Sequence, residues 1–228
     1  MSKPVSDKAR TRAPLNRERV LRTAVAVADA GGIGALTIRS LAQELDVKPM
    51  SVYHHVANKD EILDGIVDLV FTEIDLPATD GDWRVELTRR ADSARRVLRR
   101  HPWAVGLLDS RSAPGPATLR HHDAVIGTLR GAGFSVAMTA HAFALLDSHL
   151  YGFVLQENAL PTAPDDVADV AGPIMEQLPA GEYPHLVELA TEHVMRPGYS
   201  FADEFGFGLT MILDALARSL PGEDGPAS

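Results

Sequence analysis

The chain has 228 residues with no cysteine, 45% hydrophobic and 23% charged, a composition that supports a buried core and excludes disulfide scaffolds, thiol nucleophiles and cysteine-ligated metal sites. No apolar run approaches the roughly 20 residues of a bilayer span, and the opening MSKPVSDKARTRAP lacks an apolar signal segment, so a cytoplasmic protein without membrane contact is expected. The net charge of −9 is unevenly spread, because residues 1–60 hold ten Lys and Arg against six Asp and Glu, a net +4 that leaves −13 for the remainder. A basic head on an acidic body fits a phosphate-binding module joined to a different one.

Residues 1–14 are polar and basic, with Pro4 and Pro14, and read as a flexible arm. Asn16 is a good N-cap for a first helix whose apolar positions Val20, Leu21, Ala24, Val25 and Ala28 keep helical spacing up to Gly31-Gly32. Thr37 can cap a short second helix with one apolar stripe, Ile38, Leu41, Ala42 and Leu45. Asp46 tolerates the left-handed turn that follows, and Pro49 suits the first position of a third helix reaching His55. Asn58 with Glu61 predicts a capped fourth helix, running through Ile62, Ile66, Val67 and Ile74 toward Pro77.

Beyond this point every pattern is helical and none is a strand. Asp82 opens an Arg-rich helix from Trp83 to Arg100, which Pro102 closes, and a helix to Arg130 follows the break Ala113-Pro114-Gly115-Pro116. A long helix is predicted from Ser135 to Asn158, then a loop with a short helix inside it over 161–181, a helix from Glu182 to Met195, and a last one started by Ser200. The expected fold is all-α: an arm (1–14), a helix-turn-helix domain (15–62), a larger helical ligand-binding and dimerisation domain (63–220) and a flexible tail (221–228).

The short second and third helices fit a helix-turn-helix, whose later helix enters the major groove. Lys48, Met50, Ser51, Tyr53, His54 and His55 crowd a helix too short and polar to be core, and Lys59 opens the next. Such groups reach phosphates and base edges.

The stretch LTIRSLAQELDVKPMSVYHHVANKDEILD, Leu36 to Asp64, closely resembles the DNA-binding signature of TetR-family transcriptional repressors. It combines the Thr-x-Arg start, the Leu-Ala-x-x-Leu-x-Val turn, Tyr-x-His-Val and Asn-Lys-Asp, and departs at Asp46, where glycine is commoner. FSVAMTAHAFALLDSHLYGFVLQE, EYPHLVELA and EFGFGLTMILDAL resemble, more loosely, the C-terminal domain of the tetracycline-repressor subgroup. The resemblance implies a homodimer that pairs through the long and last helices, binds double-stranded operator DNA and answers to a small-molecule effector. It implies that Thr37 holds phosphate and that Arg39 reads a base edge, with a plain phosphate contact as the alternative. Pro49, Met50, Ser51 and His54 would set sequence preference, while Tyr53 and Lys59 would hold the DNA backbone. His55 is either a further contact or a packed histidine bracing the helix.

The effector chamber is expected among the middle helices. His101, Trp103 and His122 fall there, and on the long helix His141, Leu145, His149 and Gly152 share one face, with Met138 and Phe153 nearby. These residues point to a largely apolar molecule; no metal site and no cofactor are expected. The resemblance also places a glutamate at the end of the long helix, where this chain has Gln156 and Glu157. Two other classes compete: a helical partner-binding protein that has lost DNA binding, against which Arg39, Tyr53 and Lys59 argue, and a small-molecule enzyme, for which no nucleophile elbow, phosphate loop or HExxH motif is present.

Overall fold

A computed structural model describes residues 14–78, 80–108, 113–160, 172–179 and 181–220. The expectations for the arm, the tail and most of the 161–181 loop lie outside the described residues. Among the described residues there is no strand, and no helix is long and apolar enough to cross a membrane. The chain divides into two units at Ile66/Val67.

The first unit holds α1 (Arg17–Gly31), a 3-10 turn (Ile33–Ala35), α2 (Ile38–Leu45), α3 (Pro49–Tyr53) and the start of α4 (Lys59–Phe71). Asn16 caps α1 by accepting from the Arg19 N–H at 2.8 Å, and Gly32, at φ 73°, ends it in a conformation that suits glycine. Buried Val20, Leu21, Ala24 and Ala28 of α1 form a core with Leu41, Ala42 and Leu45 of α2, Val52 of α3 and Ile62 and Ile66 of α4. Helices α1 and α4 approach closely at Gly65, where a Cβ would lie 2.7 Å from Leu21 Cδ2.

The second unit holds the rest of α4, then α5 (Trp83–Arg100), α6 (Pro102–Leu108), α7 (Pro116–Gly131), α8 (Val136–Ala159), a helical turn at 172–176, α9 (Pro184–Leu189) with a π-turn over Ala190–Val194, and α10 (Phe201–Arg218). Asp82 caps α5 through the N–H groups of Arg84 and Val85, and Ser135 caps α8 through that of Met138. Helix α8 is the central element, against which α5, α6, α7 and α10 pack. Its buried Ala142, Leu146, Leu150 and Val154 meet a core that includes Leu87 and Leu98 of α5, Val125 and Leu129 of α7 and Leu209 and Leu213 of α10. Each such leucine contributes roughly 1.5–3 kcal/mol by leaving water.

Four predicted boundaries change. Helix α3 ends at Tyr53 rather than His55. Helix α4 stops at Phe71 rather than near Pro77, because the Thr72 hydroxyl donates to the Leu69 carbonyl and the N–H groups of Thr72, Glu73 and Ile74 turn back to carbonyls three residues earlier. Pro102, read as a stop, also starts a helix, since a first-turn proline needs no N–H partner. The predicted helix 182–195 is α9 plus the π-turn.

His121 on α7 is buried, and burial together with the Arg90 charge pushes its pKa below the ordinary histidine value of 6.5, while a backbone hydrogen bond at Phe71 opposes the shift. The unfolded chain therefore binds this proton more readily than the folded one, and stability falls as pH drops from 6.5 toward the depressed folded value. Urea midpoints measured across this range are expected to decline on acidification in the wild type and to decline less in His121→Gln.

Candidate nucleic-acid interface and effector region

The turn between α2 and α3 is fixed by local bonds. The Thr37 hydroxyl accepts from the Ser40 N–H at 3.0 Å, Ser40 Oγ accepts from the Thr37 N–H at 2.9 Å, and the Ser40 hydroxyl is 2.7 Å from the Ala35 carbonyl oxygen. This reciprocal cap holds the start of α2. Asp46 takes the left-handed conformation, φ 53° and ψ 52°, so the turn survives without glycine. The Val47 N–H then returns to the Ala42 carbonyl at 2.9 Å, and Pro49 occupies the first turn of α3.

With α3 seated by buried Val52, and Val56 buried just beyond it, most of the residues singled out for DNA contact face solvent. Thr37, Arg39, Lys48, Pro49, Met50, Tyr53, His54 and Lys59 are exposed. Met50, at 68%, and Tyr53, at 43%, are too open to be core side chains. Ser51 and His55 are half-buried, and the His55 N–H is spent on the Val52 carbonyl at 2.9 Å. The start of α4 is bracketed by Glu61: its N–H donates to Asn58 Oδ1 at 2.8 Å, while its carboxylate accepts from the Ala57 N–H at 2.7 Å and from Arg17 Nε at 3.1 Å. Those donors hold the Glu61 carboxyl below the usual range. The result, among the described residues, is an exposed rim of cationic, hydroxyl and imidazole groups on one short helix and its flanks.

In the helical body the sequence-selected residues separate into different surroundings. His101, at the end of α5, is buried beside Glu73 (Nε2 to Oε2 3.4 Å) and Trp103 (ring centroids 6.0 Å). His122 packs edge-on against Phe143, centroids 5.3 Å apart. Met138 is half-buried, whereas His141 and Leu145 are exposed on α8. His149 lies 3.0 Å from the Phe205 carbonyl oxygen and stacks on the Phe205 ring, and a Cβ at Gly208 would come within 2.6 Å of it, so it braces α8 against α10. Phe153 joins the same seam, stacked on Phe201 at 4.7 Å under the Arg95 guanidinium. Gly152 is half-buried, with nothing within 4 Å of the position a Cβ would take. Of the two residues at the end of α8, Glu157 is held by Arg95 (Nε to Oε2 2.9 Å) and Gln156 is exposed.

The sequence did not single out a polar cluster inside this body: Arg90, His121 and Asp147. Arg90 and His121 are buried, and all three carry side-chain atoms without a hydrogen-bond partner. Among the described residues, no three His, Asp or Glu side chains gather as a metal site.

Comparison with known proteins assigns both units. Residues 20–66 match the model for bacterial regulatory proteins of the tetR family, and residues 76–220 match that for the tetracyclin repressor-like C-terminal domain. The HTH-type transcriptional repressor DrrR1 of Streptomyces coeruleorubidus is 34% identical over 214 residues, 89% of this chain and 77% of that protein. The tetracycline repressor protein class A from transposon 1721 of Escherichia coli is 30% identical over 207 residues, 90% of this chain and 91% of that one. Among solved structures, the Streptomyces coelicolor TetR family protein ActR in complex with actinorhodin superposes with a TM-score of 0.78 at 30% identity, covering 92% of this chain and 100% of that one. With the helix-turn-helix and the helical body both matched, the chain belongs to the TetR family and is a DNA-binding transcriptional regulator, not an enzyme.

Proposed function

We propose that the protein acts in the cytoplasm as a homodimeric repressor that occupies a palindromic operator and leaves it when a small molecule, largely apolar in body, binds the helical unit. The observation that carries this reading is the rim on α3 and its flanks, exposed among the described residues and held by the Thr37–Ser40 cap and the Asp46 turn. Arg39, Met50, Ser51 and His54 are the base-reading set, and Thr37, Lys48, Tyr53 and Lys59 are the phosphate-holding set. Release by a ligand has support in ActR, whose structure holds actinorhodin.

Pairing through α8 and α10 is supported by their outward faces. Phe207 is 66% and Met211 58% exposed on α10, and Leu145 and Leu155 are exposed on α8. Large apolar side chains on two adjacent helices suit a twofold contact with the same faces of a second copy. Two reading helices in successive major grooves then stand about 34–36 Å apart.

Coupling runs through α4, which begins in the DNA-binding unit and ends in the body. Asp68 on α4 caps α7: Oδ1 accepts from the Thr118 N–H at 2.9 Å and hydroxyl at 3.1 Å, and Oδ2 accepts from the Ala117 N–H at 3.2 Å. A ligand that shifts α7 therefore moves α4. Turning a mostly DNA-competent population into a mostly incompetent one takes about 5.5 kcal/mol of differential binding.

Selection from random duplexes with the full chain tests the reading. Lys59→Ala is expected to weaken all sequences alike and to lower the salt slope by about one phosphate, whereas Arg39→Ala changes the preferred bases; the reverse pattern contradicts the roles. The double variant Phe207→Glu with Met211→Glu is expected to sediment as a monomer and to lose the palindromic site. Asp68→Asn is expected to keep operator affinity within a few fold while blunting release by the effector, as read in a gel-shift titration.

A further inference from the structure

Helix α5 buries an arginine that the fold uses only in part. Arg90 is 3% exposed, and its Nη1 reaches Asp147 Oδ1 at 3.6 Å, longer than the roughly 2.7–2.9 Å of a charge-assisted hydrogen bond. Its Nε and Nη2 are buried with no hydrogen-bond partner. Those two nitrogens share one edge of the planar guanidinium, the edge whose parallel N–H groups match the two oxygens of a carboxylate. On α8, Asp147 Oδ1 makes no hydrogen bond to set beside this long ion pair.

Arginine does not lose its proton in proteins, and its ion pair with Asp147 is long. Burial raises the Asp147 pKa above its ordinary value, while Arg90 and His122 oppose the shift. Burial and Arg90 push His121 toward its neutral form. A buried cation with unmet donors carries a heavy desolvation cost, which well-placed acceptors on a bound anion offset in part. The neighbouring walls are rings: Phe71 lies 5.6 Å from His121 and 6.4 Å from His122, and His122 lies 5.3 Å from Phe143. Flat apolar groups pack well against such faces and edges.

We propose that the Nε/Nη2 edge of Arg90 anchors a planar oxyanion on the effector, a carboxylate carried by a flat aromatic framework that packs against Phe71, His122 and Phe143. The proposal rests on the helical body being the effector site, and it adds a required anionic group to a molecule otherwise read as apolar. Asp147 keeps the guanidinium in place before the ligand arrives.

The test uses 2-naphthoate and its neutral methyl ester as probes, titrated calorimetrically into the full chain. The carboxylate is expected to bind the wild type roughly 10- to 100-fold more tightly than the ester, the range of a charged hydrogen-bonded contact. Arg90→Gln is expected to abolish that preference while ester affinity stays within a few fold. Arg90→Lys, which keeps the charge and loses the fork, retains only part of the preference and carries the test if the glutamine variant does not fold. Equal affinity of the wild type for both probes overturns the anion anchor but leaves the body as an effector site. An undiminished preference in either variant, or binding of neither probe, also overturns the anchor.

Discussion

The carboxylate of Asp68 is the contact on which the regulatory reading of this structure turns. Within the second unit it caps α7 with three hydrogen bonds, from the same helix, α4, whose first residues Lys59, Ile62 and Ile66 belong to the DNA-binding unit. The fit leaves no slack, since a Cβ at Gly115 would lie 2.2 Å from the Asp68 Cγ. At the other end of α4, Glu61 makes the matching attachment to Ala57 and Arg17.

Much of the DNA-binding unit was legible because its signals are local. Asn16, Thr37, Pro49 and Asn58 each act within three or four residues of their own position, so caps and first turns follow from the order of residues. Asp46 was legible for the same reason, the left-handed region being open to few residue types. The end of α4 was not, because the Thr72 hydroxyl takes a carbonyl from the helix ladder and nothing in the apolar spacing records that choice. Pro102 misled in another way: one residue can end α5 and begin α6, and the sequence showed only the first role.

The effector region was less legible, because it depends on which face of each helix points inward. The histidines that stood out by type are spread over several surroundings: His101 beside Glu73, His122 among rings, His141 at the surface, His149 in the α8–α10 seam. Arg90 did not stand out, since it sits in a helix with seven arginines, most of them exposed to some degree. Periodicity fixes which residues share a face, and long-range packing decides which face is buried. The buried guanidinium of Arg90 adds a polar feature that composition conceals.

The absence of cysteine from the chain makes one measurement especially direct, because a single introduced thiol is uniquely addressable. An Ala57→Cys variant carrying an iron–EDTA cleavage reagent, placed at the exposed turn between α3 and α4, reports where the reading helix lies on operator DNA. The account predicts two clusters of cuts related by the operator dyad, in successive major grooves about 10 base pairs apart, both lost when the effector is added. A single cluster, or cuts without twofold relation, would contradict it.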